Sequence, residues 1–467
     1  MPSYATTNPL IADAYARVAV GFVRDALAGR WGAIDAARPF YVVELGAGSG
    51  RFAFHFERRL RARLGDAAIT ARVVHWISDL APRNVDAWCR NPALQPFLDR
   101  GELLAAPLDF ESEDAWPAGD GNPVLVVANY LFGSVPADAF VADGGRLREL
   151  RLRLSSEDGA PPDEDAASLD GLRFHWRAGA PVEEPYASPI WNRVLRSYAG
   201  RAGRSAFTLP VGALRLVDRL RAQSRDRLLV LAADSGALDE DAVMGDGVPA
   251  IAQHGAVSMA VNFHALAAYA RLAGGELLAP PRRPELLTIV AMLFGAADAA
   301  CTREAFAGAL GGFGPDELLA FMRELDLEGW NAPRLLSLLR NCGHDPLLWL
   351  RVAPTLAAAV PTATSDTLRE LERAADNVWA AYFHHEGETE DLAFALGVAA
   401  CELGMVDAAV RCFEASLSAH GPQADTHFNL ALCFQELGDR ERARAQVAAA
   451  LASDPGHQAA RELSRSL

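Results

Sequence analysis

Residues 41–52, which read YVVELGAGSGRF, constrain the fold of this chain more than any other segment. A short apolar run is followed by an acid, Glu44, and then by three glycines on alternate positions. Continuous apolar runs of this length are typical of strands buried in parallel sheets. Apolar residues then recur at helical spacing from Phe52 to Leu64, which predicts a helix directly after the glycines. The segment therefore predicts a strand, a glycine turn and a helix, a combination that binds ligands at the end of the strand.

Four more apolar runs follow in the first half of the chain: VVHWISD, ending at Asp79; residues 103–110, ending near Asp109; PVLVVANYLF; and RLLVLAADSG. Helical stretches separate them, which predicts an α/β, doubly wound, Rossmann-like sheet. An insertion of about residues 137–225 precedes the fifth strand. In it, RLRELRLRLS alternates apolar and polar residues, LRFHWRAG is its predicted antiparallel partner, and a helical piece is predicted from about Ser188 to Gln223.

The C-terminal region is purely helical beyond about Arg282 and contains a repeat. Residues 390–423 align with residues 424–457, so that Gly397 and Gly404 correspond to Ala431 and Gly438. The 34-residue offset and the small residues resemble the tetratricopeptide repeat, in which two helices approach closely. The predicted domains are therefore 1–285 for the α/β part, 286–365 for a helical connector and 366–467 for the helical repeats, which we expect to bind a protein or peptide partner.

The spacing of the glycines separates two classes of ligand. A dinucleotide fingerprint is G-x-G-x-x-G, but Arg51 stands where its third glycine would be. Gly46, Gly48 and Gly50, with Glu44 before them, resemble motif I of class I methyltransferases. This resemblance implies S-adenosylmethionine as the cofactor and a seven-stranded sheet whose last pair reverses direction. A dinucleotide and a ligand-free turn remain the alternatives.

Two acids at later strand ends complete the predicted cofactor site. Asp79, at the end of the second strand, is placed to hold both ribose hydroxyls of the cofactor. Asp109, near the end of the third strand, is placed to accept the adenine amino group. The predicted cofactor-binding residues are Glu44, Gly46, Gly48, Gly50, Asp79 and Asp109.

Several segments within roughly residues 40–295 resemble the MidA-type methyltransferases, whose mitochondrial members assist the assembly of respiratory complex I by methylating an arginine. They are ISDLAPR around Asp79, ANYLFGSVP from Ala128, Asp234-Ser235-Gly236, and AVSMAVNFHAL from Ala256. Their order and spacing make the resemblance more specific than motif I alone.

The chain departs from this family where an acceptor would bind. Tyr130 and Gly133 stand at a family Glu and Asp, and Ala256, Ala260 and Asn262 stand at a family Asp, His and Asp. A guanidinium acceptor has a pKa above 12 and would require nearby carboxylates, so arginine specificity does not transfer simply. The motifs for the cofactor therefore resemble those of the family, whereas the motifs that would face the acceptor differ from them.

Three hypotheses follow from this pattern. The first is a methyltransferase that acts on a protein or peptide, with Asn129 and Tyr130 bordering the acceptor and the repeats recruiting a substrate or partner. The second is a pseudoenzyme, a methyltransferase fold kept as an interaction scaffold. The third is a small-molecule methyltransferase.

Composition and remaining motifs exclude other classes. The net charge of −16, with arginine as the only strongly basic residue, argues against nucleic acid as the main partner. Six cysteines without a CxxC pair and no evident signal peptide or membrane span predict a cytoplasmic protein. His254 and His264 are candidate bases and His384-His385 candidate metal ligands, but solvated or core roles are favoured and no metal is assigned. Ser235 lacks the G-x-S-x-G elbow of hydrolases.

Overall fold

The computed structural model of the chain describes residues 4–109, 121–156, 171–200, 204–245, 247–253, 257–282 and 286–467. His254 and Ala256 lie outside the described residues, as do Phe110 and most of the loop after RLRELRLRLS. Two compact units are present: Ala14–Met322 with Met1–Thr6, and Arg323–Leu467 with Thr7–Asp13. The predicted boundaries near residues 285 and 365 stay predictions.

The strands all lie in the first unit. In chain order they are β1 (Phe40–Leu45), β2 (Val73–Asp79), β3 (Leu103–Pro107), β4 (Val124–Asn129), β5 (Asp138–Asp143), β6 (Arg146–Ser155), β7 (Arg173–Val182), β8 (Ser205–Leu209), β9 (Leu228–Asp234), β10 (Gly236–Ala237), β11 (Ile251–Gln253), β12 (Val257–Met259), β13 (Val261–Asn262), β14 (Glu276–Leu278) and β15 (Thr288–Phe294).

The helices, in chain order, are α1 (Tyr4–Thr7), α2 (Pro9–Leu27), α3 (Arg51–Asp66), α4 (Pro82–Arg90), α5 (Gln95–Asp99), α6 (Pro189–Ser197), α7 (Val211–Ser224), α8 (Glu240–Val243), α9 (Phe263–Leu272), α10 (Ala300–Ala309), α11 (Pro315–Glu324), α12 (Ala332–Asn341), α13 (Pro346–Ala359), α14 (Ser365–Ala381), α15 (Leu392–Glu402), α16 (Val406–His420), α17 (Ala424–Glu436), α18 (Arg440–Ser453) and α19 (Gln458–Ser466); a 3-10 turn occupies Val360–Thr362.

The main sheet has seven strands in the order β14-β15-β9-β4-β1-β2-β3. The five strands from β9 to β3 are parallel, and the near-continuous apolar sequences of β9, β4, β1 and β2 reflect burial on both faces. β15 runs antiparallel to both β9 and β14, so the reversal that the resemblance implied lies in the last strand alone. The predicted α/β sheet followed by an all-helical region is confirmed. The start of the helical pattern at about Arg282 is wrong, because Thr288–Phe294 form the fully buried strand β15, and the first helix after it begins at Ala300.

The insertion forms a second sheet of four antiparallel strands, β7-β6-β5-β8. The predicted pairing of RLRELRLRLS with LRFHWRAG is correct, with Leu152 opposite Trp176. The continuous helical piece predicted from about Ser188 to Gln223 is wrong. It contains α6 and α7, but β8 separates them because SAFTL pairs antiparallel with β5 and buries all five of its residues.

The predicted 34-residue units coincide with two helical hairpins in the second unit, α15–α16 and α17–α18. Gly404 and Gly438 lie at the turn of each hairpin with φ of 71° and 78°, a left-handed conformation that suits glycine. Between the first pair of helices, a Cβ atom at Gly397 would lie 2.6 Å from Cε1 of the buried ring of Phe413. The absence of a side chain at residue 397 therefore permits the close helix contact.

Replacing Gly397 with alanine is expected to lower the free energy of unfolding by roughly 1–3 kcal/mol, because the added methyl group overpacks the contact with Phe413. Gly308→Ala is the matched control, since Gly308 lies within α10 and a Cβ atom added there would have no other atom within 4 Å. That change should stabilise by about 0.5–1 kcal/mol through helix propensity. Urea unfolding followed by circular dichroism measures both, and a stabilised Gly397→Ala protein would contradict the close contact.

Candidate functional site

The candidate site lies at the edge of the main sheet where the parallel strands end. β1 and β4 are neighbours in this sheet, and the chain continues from β1 towards β2 and β3 on one side and from β4 towards β9 on the other. Open α/β sheets bind ligands at such a switch point, outside the carboxyl ends of the strands. The predicted site residues Gly46, Gly48, Asp79, Asn129 and Tyr130 all follow or end these strands.

The glycine loop joins β1 to α3. Gly46, Gly48 and Gly50 have φ of 66°, 55° and 77°, so each adopts a left-handed conformation that other residues rarely take. Gly46 and Gly48 are exposed, whereas Gly50 is buried against Trp88, where a Cβ would lie 2.8 Å from Cδ1 of the indole. Trp88 also donates from Nε1 to the carbonyl of Gly48 at 3.1 Å. The loop is therefore held in place on the side that packs against Trp88, whereas Gly46 and Gly48 are open to solvent.

Asp79 ties the end of β2 to this loop. Its Oδ2 accepts a hydrogen bond from the backbone N–H of Gly48 at 3.0 Å, and its Oδ1 accepts from the N–H of Ala81 at 2.9 Å. A carboxylate oxygen can accept two hydrogen bonds, so each oxygen retains capacity for one more donor. Because Asp79 is partly exposed, a ligand hydroxyl has access to it. The structure thus brings the predicted Gly48 and Asp79 together.

Asp109 lies at the same edge of the main sheet as Asp79. β3 ends at Pro107, which pairs with Asp79, and the backbone N–H of Leu108 donates to the carbonyl of Asp79 at 3.0 Å. Asp109 follows one residue later and is exposed. Its predicted contact with an adenine amino group stays a prediction.

Glu44 belongs to a buried charge cluster behind the glycine loop, which also contains His75, Glu57 and Arg61. His75 lies between the two carboxylates, with Nε2 3.3 Å from Oε2 of Glu44 and Nδ1 3.3 Å from Oε1 of Glu57. Arg61 donates to both carboxylate oxygens of Glu57, at 2.8 and 3.1 Å. The Glu44 carboxylate thus contacts a histidine in the interior, and its predicted contact with a cofactor stays a prediction.

Burial by itself would lower the pKa of His75, but contact with the carboxylates of Glu44 and Glu57 outweighs it and raises the pKa above the ordinary 6.5. The side chain of His75 is fully buried. The imidazole of His75, placed between two carboxylates, therefore links β1, β2 and α3, the three elements that hold the glycine loop.

Asn129 and Tyr130 end β4 beside the loop. Asn129 accepts at Oδ1 a hydrogen bond of 2.7 Å from the hydroxyl of Tyr15, a residue of α2. Its buried Nδ2 has no hydrogen-bond partner among the described residues, so both N–H donors of this amide are unused there. Tyr130 has φ of 53°, an uncommon conformation for a residue with a Cβ, and its pKa is raised by burial and by Asp234 and Asp316.

Asp234, at the end of β9, is a site candidate that the sequence analysis did not select. It accepts hydrogen bonds of 2.8 Å from the backbone N–H groups of Gly133 and Ser235, and it is buried. Burial raises the pKa of its carboxyl group to about 6 although these hydrogen bonds lower it. Like Asp79, Asp234 is an acid at the end of an apolar strand, so the sequence pattern that selected Asp79 could also have selected it. Tyr15 carried no such signal, because it lies far from Asn129 in sequence.

A cavity of about 480 Å³ is lined by residues that follow β9 and by the segment in which Ala260 and Asn262 replace the family's His and Asp. Thr208, Ser235, Ala260 and Asn262 are among the residues that line it. The buried side chain of Asn262 caps α9 by accepting from the N–H of Ala265 at 2.8 Å, and its Nδ2 donates to the carbonyl of Thr208 at 2.8 Å. Asn262 is therefore engaged in holding the fold next to the cavity.

His264 and His384 have structural contacts. The hydroxyl of Tyr198 lies 2.7 Å from Nδ1 of His264, whose pKa is lowered by burial. Nδ1 of His384 lies 3.5 Å from Oε2 of Glu388. Within the described ranges, no group of three or more His, Cys, Asp or Glu side chains is arranged to hold a metal ion. In the same part of the chain, every helix is too short or too polar to cross a bilayer.

Comparison with solved structures gives partial similarity to several proteins, two of which were solved with an S-adenosyl compound bound. Two proteins of one superfamily from Burkholderia thailandensis match with TM-scores of 0.42 and 0.41, at 15% and 16% identity. The matches cover 64% and 65% of this chain and 83% and 80% of theirs, and the second structure contains S-adenosyl-homocysteine.

An O-methyltransferase from neocarzinostatin biosynthesis, in complex with S-adenosylmethionine, matches with a TM-score of 0.22 at 14% identity, over 61% of this chain and 58% of that one. No protein-family model and no curated protein sequence matches the chain. The fold assignment therefore rests on the strand order and directions described above.

Proposed function

We propose that this chain is an S-adenosylmethionine-dependent methyltransferase that acts on a protein or peptide. The observation that carries the proposal is the junction of the glycine loop with Asp79, in which the Gly48 N–H donates to a strand-end carboxylate at the switch point of the sheet. When bound, S-adenosylmethionine supplies an electrophilic methyl group on a sulfonium.

The residues present fit this cofactor. The exposed backbone of Gly46 and Gly48 permits close approach, and the free acceptor capacity of Asp79 suits two ribose hydroxyls. α3 begins after Gly50 with no acidic residue in its first turn. The N–H of Arg51 donates to Oγ of Ser49 at 3.3 Å, and the amides that follow it at this helix N-terminus suit the cofactor carboxylate. Asp109, exposed at the same edge of the sheet, would accept a hydrogen bond from the adenine amino group.

The acceptor side would be formed by Asn129 and Tyr130. The buried Nδ2 of Asn129 can donate to an acceptor or to the cofactor, and the hydroxyl of Tyr15 fixes the orientation of that amide. Methyl transfer depends mainly on holding the nucleophile in line with the methyl group. With a pKa of about 6, Asp234 can accept a proton from the acceptor at its carboxylate near neutral pH.

A protein or peptide acceptor is favoured by the second unit. The hairpins α15–α16 and α17–α18 form stacked helical repeats, an architecture that binds extended peptides or partner proteins. We propose that they recruit the substrate or a partner of the enzyme.

A catalytically inactive scaffold is the second candidate. It is favoured by the engagement of Asn262, which caps α9 and bonds to β8 where the resembling family has an acid. A protein of this kind would bind S-adenosylmethionine and transfer nothing, with the repeats providing its function. A small-molecule methyltransferase is distinguished by label that appears on metabolites and not on protein.

Asp79→Asn is expected to weaken S-adenosylmethionine binding by roughly 10–100-fold, because hydrogen bonds to a charged group contribute about 1.5–3 kcal/mol. Titration calorimetry with S-adenosylmethionine and its demethylated product measures this effect. Asp86→Asn is the matched control, since Asp86 is an exposed acid on α4. An unchanged affinity for Asp79→Asn would exclude the assigned pocket.

Incubation of cell extract with methyl-labelled S-adenosylmethionine then tests catalysis. Label on protein that the wild-type chain transfers and Asp79→Asn transfers weakly supports the enzyme. Normal cofactor binding without any transferred label supports the scaffold.

A further inference from the structure

Two cysteines from different hairpins meet in the second unit. Cys401 lies near the end of α15 and Cys433 lies in α17, and their Sγ atoms are 3.7 Å apart. The two residues are 32 positions apart in sequence. A disulfide has a sulfur–sulfur distance of about 2.05 Å, so a modest movement of the side chains would join them. Both are free thiols in the structure.

The two thiols differ in exposure and acidity. Cys401 is exposed, whereas Cys433 is 2% exposed. The hydrogen bond between them lowers the pKa of Cys401, and the same contact together with burial raises the pKa of Cys433. An accessible thiol of lowered pKa next to a second thiol is the arrangement of a peroxide-reactive cysteine with a resolving partner.

The other four cysteines lack this combination. Cys412 and Cys342 are buried, and burial raises their thiol pKa values to about 12 and about 11. Cys89 and Cys301 are exposed, but within the described part of the chain neither has a second sulfur at contact distance.

We propose that Cys401 and Cys433 form an oxidative modification site, in which a peroxide oxidises Cys401 and Cys433 then closes a reversible disulfide. The Cys401 thiolate attacks hydrogen peroxide, forming an S–O bond as the O–O bond breaks and hydroxide leaves. Sγ of Cys433 next attacks the sulfenic sulfur, the S–O bond breaks, and water leaves with the Cys433 proton. Two thiols are oxidised by two electrons in total, and one peroxide is reduced.

The disulfide would couple the two hairpins covalently. Cys401 belongs to the first helix of one predicted repeat and Cys433 to the first helix of the next. Stacked repeats are held by the contacts between neighbours, and the bond would fix the relative position of α15 and α17. Because neither cysteine belongs to the cofactor site, this proposal stands or falls separately from the methyltransferase activity.

Treatment of the full-length wild-type chain with hydrogen peroxide tests the proposal. The intact mass is expected to fall by about 2 Da, the number of titratable thiols to fall from six to four, and dithiothreitol to reverse both changes. Cys433→Ser should trap a sulfenic acid on Cys401 that dimedone labels, and Cys401→Ser should retain its mass under the same dose. Cys412→Ser is the matched control and should still form the disulfide.

Peptide mapping of the wild-type chain assigns the bond even if a variant fails to fold. Cleavage after arginine releases residues 374–411, with Cys401, and residues 412–440, with both Cys412 and Cys433. Further cleavage after glutamate separates Cys412 from Cys433 at residue 414. A cross-link of residues 391–402 to 415–436 supports the proposal. A different pairing, or oxidation that only adds oxygen atoms, would overturn it.

Discussion

Gly48→Arg is expected to reduce S-adenosylmethionine binding by at least about 100-fold, which is the largest effect on function that the site predicts. The nearest atom to a Cβ at Gly48 is the carbonyl oxygen of Gly46, 4.0 Å away, so the first carbon of an arginine side chain meets no close contact there. It would occupy the open side of the loop, where the cofactor is proposed to lie. Calorimetric titration with S-adenosylmethionine and its demethylated product measures the loss.

The control must separate occlusion from backbone strain, because φ at Gly48 is 55° and a residue with a Cβ is strained there by about 1–2 kcal/mol. Gly32→Arg provides it. Gly32 has φ of 80°, is exposed, and has no atom within 4 Å of its Cβ position. It should lose similar stability and bind the cofactor normally. If Gly48→Arg also binds normally, the loop does not hold the cofactor.

His75→Leu is expected to destabilise the first unit by roughly 3–5 kcal/mol, because it leaves the buried carboxylate of Glu44 without its partner. Glu57 retains its two hydrogen bonds from Arg61, so Glu44 bears most of the loss. The double variant Glu44→Gln with His75→Leu removes the orphaned charge and should recover most of that stability. Urea unfolding compares the three proteins, and equal stability of wild type and His75→Leu would contradict the ion pair.

The same cluster gives a pH dependence whose sign follows from the raised pKa of His75. The folded state binds the proton more tightly than the unfolded state, so the stabilisation is fully present below pH 6.5 and is lost as pH rises through the higher folded pKa. The contribution of His75 to the free energy of unfolding of the wild-type protein should therefore decrease as pH is raised above 6.5. The double variant should lack that component, and unfolding at a series of pH values measures the difference.

Local patterns were sufficient where one segment determines its own structure. The apolar run before Gly46 and the periodicity after Gly50 predicted β1 and α3, and the 34-residue offset predicted the hairpins at Gly404 and Gly438. Each of these features depends on residues close in sequence, and turn geometry or hydrophobic periodicity reports them directly.

Features made by distant residues could not be predicted in this way. β8 was assigned to a helix because its partner, β5, lies more than sixty residues earlier, and pairing overrides local preference. Likewise, His75 and Glu57 resemble ordinary strand and helix residues until the fold places them against Glu44. The hydrogen bond from Tyr15 to Asn129 also joins residues that no local pattern relates.

Because β15 runs in the reverse direction, its first residue and not its last lies at the edge of the sheet that carries the candidate site. Thr288, its first residue, pairs with Asp234 and donates from its hydroxyl to the carbonyl of Gly236, whereas its last residue, Phe294, pairs with Leu228 at the opposite edge. In the parallel strands β1, β2, β4 and β9, the last residue is the one at the edge of the candidate site. If the residues of β15 are substituted one by one, we therefore expect changes near Thr288 to reduce function and changes near Phe294 to reduce only the stability of the sheet.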